Sequence, residues 1–329
     1  MDAHLQAARA VAASLGPGTP LHRYSDYLQR RFQARTYRVS VDAGFTCPVR
    51  ETGLPCSYCD VRGSRAPYIG SIESLSEQIS GGMSFLSRRY GAGRFMLYFQ
   101  AFSNTHAPVP QLRSVYDTGL AAGEFVGLIV GTRPDCLDEA RAALLAEYRD
   151  RGLDVWVELG LQSANDATLR RIRRGHSVAE FDRAVRLAKE YGLLVGAHVI
   201  LGLPGETRAD AVHTASHISE LPVDGVKFHN LVLTEGTEMY RAYRDGGLSP
   251  PGAGEYRELL ISSLEQLAPE VVVMRLTCDP PAGLNSLPAD FPDKKRFSAD
   301  LVDVMNERGT WQGRSRQISL DNRLAHAVR

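Results

Sequence analysis

Six short runs rich in β-branched and aromatic residues, at 37–41, 95–99, 125–130, 155–159, 194–201 and 226–233, limit the fold more than any other feature of the chain. Each has the length and composition of a buried strand. Between them lie stretches whose apolar residues recur every three or four positions, such as Leu137, Ala140, Leu144, Leu145 and Tyr148, or Phe181, Val185 and Ala188. That spacing puts the apolar side chains on one face of a helix. After the first strand, successive strands begin about 30 to 40 residues apart, the length of a βα unit with its loops, which argues for a parallel sheet. The expected class is therefore α/β, built as a partial (β/α)6 TIM-like barrel. Past residue 233 the rhythm changes to Gly/Pro punctuation at 246–254, a helical stretch at 255–267, a strand-like run at 271–277, and then Pro280, Pro281, Pro288 and Pro292. The division this predicts is an N-terminal helical extension (1–22), a barrel (23–235) and a C-terminal α+β extension packed on it (236–329).

Charge and hydropathy narrow the function classes. In 329 residues, 38 Lys plus Arg balance 38 Asp plus Glu, so no basic field draws the protein toward nucleic acid or anionic lipid. A membrane-spanning helix needs roughly 18 to 20 apolar residues and no run approaches that, so no membrane association is expected. The first twenty residues hold Asp2 and a single Arg and read as a short helix ended by Gly16-Pro17, not as a leader. Cytoplasmic placement is the expectation. Five cysteines are an odd count, and Cys47, Cys56 and Cys59 crowd into thirteen residues. That pattern suits metal or redox chemistry better than a disulfide framework.

The cluster has the form C-x8-C-x2-C and directly follows the first strand. Three thiolates are one short of the four that close a tetrahedral zinc site or an ordinary iron–sulfur site. Spacing alone leaves structural zinc, an iron–sulfur cluster and a redox pair open. Cys136 and Cys278 have no cysteine neighbour at ligand spacing and read as buried apolar residues. In βα barrels the functional groups gather on the loops after the strands. Polar residues do recur there: Gln100 and Ser103 after the second strand, Arg133 after the third, Gln162 after the fourth, and the turn Gly202-Leu-Pro-Gly-Glu206 after the fifth. Singly, each has a structural explanation. The turn reads as a helix cap, while Glu158, His198 and His229 read as satisfied groups of a barrel interior, and Arg170 to Arg174 as a solvated helix face.

Taken together, these residues resemble a known family. The cysteine loop with Tyr58 before its last cysteine, the run Glu158-Leu-Gly-Leu-Gln-Ser163, the Arg-Gly-His of 174–176 and Ile200-Leu-Gly-Leu-Pro-Gly-Glu-Thr207 look like a radical S-adenosylmethionine (SAM) enzyme. More narrowly, Asp42-Ala-Gly-Phe-Thr-Cys-Pro48, Tyr98-Phe-Gln-Ala-Phe-Ser-Asn-Thr105 and Gly131-Thr-Arg-Pro-Asp-Cys136 are similar to the YhcC-type subgroup, related to the catalytic subunit of Elongator and to oxygen-independent coproporphyrinogen III oxidase. The gap between Cys47 and Cys56 is far longer than the three residues common in the superfamily. The resemblance implies a barrel of radical SAM type with one [4Fe–4S] cluster on Cys47, Cys56 and Cys59. It further implies that SAM is cleaved reductively to a 5′-deoxyadenosyl radical that takes hydrogen from a substrate. By the same likeness, Gln100 and Ser103 meet the methionine amino group of SAM, Gln162 and Arg174 its polar groups, His198 the ribose, and Tyr58 and Leu203 the adenine. A flavodoxin or ferredoxin-type electron donor and a small-molecule substrate, favoured over RNA, complete the expectation. The alternatives are a zinc-binding adaptor domain and an RNA-modifying radical SAM enzyme.

Overall fold

The computed structural model describes residues 6, 10–61, 63, 65, 69, 74–281 and 283–316. The expected strands form at Thr36–Val41 (β1), Arg94–Phe99 (β2), Gly127–Thr132 (β3), Asp154–Gln162 (β4), Leu194–Leu201 (β5) and Gly225–Asn230 (β6). They pair in chain order and all run parallel, as helical crossovers require. The extension does more than pack on this sheet. After a two-residue strand Leu233–Thr234 (β7), its strand Val272–Arg275 (β8) pairs parallel with β6 and makes the seventh member of the sheet. A last short strand, Ser286–Leu287 (β9), returns antiparallel to β7.

Alternation along the strands divides the interior in two. Val39, Leu97, Val130, Val157, Val195 and Phe228 face the helices and belong to one continuous apolar core. The alternate residues Met96, Ile129, Trp156, Leu194, Val272 and Met274 form a second cluster with Tyr24, Tyr27 and Leu28 of the helix Tyr24–Phe32. All but Met274 lie in the first half of their strands, so this helix plugs the N-terminal end of the sheet. The Trp156 ring takes Tyr24 and Tyr27 edge-on, at 5.9 and 6.0 Å between centroids, the arrangement aromatic quadrupoles favour. Arg31 anchors the helix with two hydrogen bonds to the Asp154 carboxylate, at 2.7 and 3.0 Å. His22 and Arg23 lie along β8, where Val273 N donates to His22 O at 2.8 Å. The helix read within 1–22 falls mostly outside the described residues.

Local sequence marks the crossover helices. Ser177 and Glu180 cap the helix Val178–Glu190 reciprocally, with Ser177 N donating to Glu180 Oε2 at 2.7 Å and Glu180 N to Ser177 Oγ at 3.3 Å. Its buried stripe, Phe181, Ala184, Val185 and Ala188, contains the residues whose spacing predicted the helix.

With no exposed surface and two aromatic partners, Trp156 is the centre of the plug. Trp156→Ala should lower unfolding stability by about 3–5 kcal/mol, read from urea denaturation.

Candidate active site

Beyond the plug, at the C-terminal ends of the strands, the inward positions turn polar. Tyr98 and Gln100, Arg133, Glu158 and Gln162, His198 and His229 all line one cavity of ≈ 830 Å³. A period of two along each parallel strand delivers them to the same space.

The cysteine loop forms one wall. Cys47 holds the N-cap position of the short helix Pro48–Glu51 in the loop after β1, and Cys47, Tyr58 and Cys59 line the cavity, while Cys56 is buried outside that lining. The loop is pinned by Ser57 N donating to Ile172 O at 3.0 Å and Met239 N donating to Ser57 O at 3.1 Å. Two guanidiniums address its sulfurs: Arg50 Nη2 donates to Cys59 Sγ at 3.0 Å, and Arg174 Nη1 to Cys56 Sγ at 3.7 Å. Burial pushes the Cys47 thiol up to about 12, with Cys59 adding to the shift, and burial raises Cys59 as well, against Arg50. Metal binding here would therefore expel protons. Among the described residues no three His, Cys, Asp or Glu side chains are gathered into a ready metal-holding set. What the loop offers a cluster is its donor chemistry: three soft sulfur ligands on one short segment, with cations beside them.

Next to the loop, Arg174 lies flat on the end of β4. Its Nε and Nη2 donate to Gly160 O at 3.2 and 2.9 Å, and His176 Nε2 lies 2.9 Å from the same oxygen. Gly160 has to be glycine for this: a Cβ would run into Arg174 Nη2 and come within 2.8 Å of Gln162 Nε2. The pairing of β4 with β5 shifts between Gly160 and Gln162, and Gln162 sits at φ 74, a left-handed conformation unusual for a side-chain-bearing residue. Such irregularities re-aim side chains at functional edges. Arg133 lies close by, paired with Asp135 at 2.9 Å, and its buried Nη1 has no hydrogen-bond partner among the described residues.

A buried charge cluster lies deeper. The Glu158 side chain has no exposed surface. Lys227 Nζ donates to its Oε2, His198 Nε2 lies 2.8 Å from the same oxygen, and Arg38 Nη1 stands 3.9 Å from Oε1. Lys227 Nζ also donates to Tyr98 OH at 3.1 Å. Burial pushes the Glu158 carboxyl up, but Lys227, the His198 hydrogen bond and Arg38 together hold it well below the carboxylate range. An ionised carboxylate only accepts, so His198 Nε2 carries the proton and Nδ1 is the free acceptor. Burial pushes His198 down to about 4, against the Glu158 hydrogen bond, so it is a neutral imidazole.

Of the ten expected site residues, Cys47, Tyr58, Cys59, Gln100, Gln162, Arg174 and His198 line the cavity. Cys56, Ser103 and Leu203 are buried outside that lining. Ser103 Oγ shares a hydrogen with Thr132 Oγ1 at 3.0 Å and accepts from Arg133 N at 3.4 Å, so it braces the wall. Leu203 packs in an apolar cluster that backs Tyr58. Sequence reasoning missed Lys227, although its position two residues before His229 in a strand-like run places both on one face. It also missed Arg275, for which alternation gives the wrong direction.

Two predictions test this electrostatic reading. Lys227→Met strands a buried carboxylate and should cost about 3–5 kcal/mol of unfolding stability, part of which Glu158→Gln in the same chain restores. Burial also pushes His176 down to about 4, from an ordinary imidazole value of 6.5. Unfolding lets His176 and His198 take up protons that the native state refuses, so stability is full above pH 6.5 and falls as pH drops toward 4. The slope of urea stability against pH in that window should be shallower in His176→Asn and His198→Asn.

Comparison with known proteins agrees with this arrangement. Residues 44–218 match the Radical SAM superfamily, and residues 223–307 match the Radical SAM C-terminal domain. Protein YhcC of Escherichia coli (strain K12) is 38% identical over 253 residues, covering 76% of this chain and 81% of that protein. The tRNA uridine(34) acetyltransferase of Methanocaldococcus infernus is 33% identical over 162 residues, 48% of this chain and 29% of that one. The solved structure of the archaeal Methanocaldococcus infernus Elp3, lacking its N-terminus, superposes with a TM-score of 0.65 at 21% identity, covering 84% of this chain and 64% of that one. The fold is thus shared well beyond the reach of sequence identity, and the chain belongs to the radical SAM superfamily.

Proposed function

We propose that this protein is a radical SAM enzyme that holds one [4Fe–4S] cluster on Cys47, Cys56 and Cys59 and acts on a small molecule enclosed in the cavity. The observation that carries this reading is the juxtaposition of the cysteine loop, with Cys47 and Cys59 on the lining, and a polar cradle around a ≈ 830 Å³ cavity at the C-terminal ends of the strands. When bound, the cluster and SAM supply reductive cleavage to a 5′-deoxyadenosyl radical that abstracts hydrogen; a flavodoxin or ferredoxin-type protein is the proposed electron donor.

The protein's own residues bind, orient and exclude water. Arg50 sets a guanidinium against Cys59 Sγ and Arg174 sets one against Cys56 Sγ, so cations accompany the sulfur ligands. Gln100 and Gln162 present amide groups to the cavity for the polar end of SAM, with Arg174 beside them. The Nη1 of Arg133, without a hydrogen-bond partner among the described residues, is a further donor suited to a carboxylate. Ser103 acts through Thr132 and the Arg133 backbone, as a brace. Neutral His198, its Nε2 proton committed to Glu158, presents Nδ1 as acceptor for a ribose hydroxyl. Tyr58, backed by Leu203 and Ile200, offers an apolar face to an adenine ring.

A second reading, action on RNA, draws support from the relative named as a tRNA uridine(34) acetyltransferase. Balanced charge opposes it, because RNA affinity rests on a basic surface. A salt-dependent gel shift with tRNA would favour that reading; no shift at low salt would favour the small molecule.

The decisive experiment is anaerobic reconstitution with iron and sulfide counts, followed by assay of 5′-deoxyadenosine from SAM and dithionite. The expected result is about four irons and four sulfides per chain with deoxyadenosine release. Cys56→Ala should lose both, and Cys136→Ala should keep both. Stoichiometric zinc without SAM cleavage would replace the proposal with the adaptor reading.

A further inference from the structure

Strand β8 carries a side chain that alternation would send the wrong way. Val272 and Met274 join the plug, while Val273 faces the helical layer, so Arg275 should turn outward after Val273. The pairing with β6 breaks that pattern. Val226 pairs with Val273, but the next residue, Lys227, pairs with Arg275, leaving one extra residue in β8. The bulge turns Arg275 inward, where it lines the cavity.

The other cations on that lining are engaged. Arg65 pairs with Asp42 at 3.1 Å, Arg133 with Asp135 at 2.9 Å and Lys294 with Asp279 at 2.5 Å, while Arg174 holds Gly160 O and Cys56 Sγ. Glu158 is taken by Lys227, His198 and Arg38. Arg275 makes no hydrogen bond or ion pair among the described residues, so its guanidinium faces the cavity without a counter-ion. Beside it stands His229, also on the cavity wall, with a buried Nε2 that has no hydrogen-bond partner among the described residues and with its ring 5.4 Å from that of His198. Burial, and then Arg275, push the His229 imidazole far below its ordinary value, so it is neutral and can donate one N–H. Two polar groups unused among the described residues thus face the cavity from β6 and β8, the last two strands of the sheet, at the opposite edge from β1 and its cysteine loop.

We propose that Arg275 and His229 form an anion-binding subsite that seats a carboxylate or phosphate group of the small-molecule substrate. That the anion belongs to a substrate rests on the radical SAM reading above; the anion site itself rests on the placement of Arg275 and His229 on the cavity wall. A planar guanidinium fork matches two oxygens of either group, and the His229 N–H adds a third contact. Holding the charged end on β8 would leave the rest of the molecule directed toward the cysteine wall, the orientation hydrogen abstraction needs.

Isothermal titration calorimetry with malonate and with inorganic phosphate tests this, on reconstituted enzyme saturated with SAM and, in parallel, on the cluster-free full chain. Wild type should bind at least one of the two. Arg275→Gln should bind it about 10- to 100-fold more weakly, the loss expected for a charge-assisted contact, with iron content and SAM affinity unchanged. Arg275→Lys, which keeps the charge without the fork, should fall between them. Preference for malonate identifies a carboxylate substrate, and preference for phosphate a phosphate ester. Absence of binding in wild type, equal binding in Arg275→Gln, or a parallel loss of SAM affinity would overturn the subsite. Because the cluster-free chain retains Arg275 and His229, a failed reconstitution and a failed subsite give different results.

Discussion

An ionised carboxylate at the centre of a barrel is tolerated only where charge and hydrogen bonds are brought to it, and Glu158 is met from four other strands. Lys227 on β6 and His198 on β5 contact its Oε2, Arg38 on β1 stands near Oε1, and Tyr98 on β2 shares the Lys227 ammonium. A slip of one residue in any of these strands would turn its polar group outward and leave the rest uncompensated. The cluster therefore ties strand register to charge balance. Room for it is made by Gly196, where a Cβ would approach Glu158 Cγ to 3.2 Å and Met274 Sδ to 3.3 Å.

This polar layer separates two uses of the same interior. Toward the strand starts, the helix Tyr24–Phe32 fills the space with Tyr24 and Tyr27 against Trp156. Toward the strand ends the inward residues leave a cavity. The neutral state of His198 links the layers, because the proton it gives Glu158 fixes which nitrogen faces the cavity. Stability and site chemistry are set by the same hydrogen bond.

Irregular strand pairing is concentrated where chemistry is proposed. β4 shifts register at Gly160 and Gln162, beside Arg174 and the cysteine loop, and β8 shifts at Arg275. Regular alternation can deliver only every second residue to a barrel interior, so a wall that needs a particular side chain elsewhere must insert or skip a position. The two shifts lie on different walls of one cavity, one beside the proposed cofactor and the other beside the proposed substrate anion.

Much of this was legible in the residue order. Apolar runs of strand length, helix stripes spaced by three and four, and the C-x8-C-x2-C loop after the first strand predict a parallel α/β barrel with its working face at the strand ends. These are local signals: periodicity and turn chemistry depend on near neighbours in the chain. The six-strand reading held for β1 to β6, and the structure adds β8 from the extension as a seventh. The partnership of Glu158 with Lys227, 69 residues apart, carries no local signal. Neither does the burial of Ser103 behind Thr132 or the inward turn of Arg275 at a bulge. The sequence by itself determined the elements, their order and the donor atoms available, because those follow from side-chain type and spacing. Only the tertiary structure decided which donors are already satisfied and which stand free, because that depends on strand register across the sheet, a property of pairs of strands and not of any one of them.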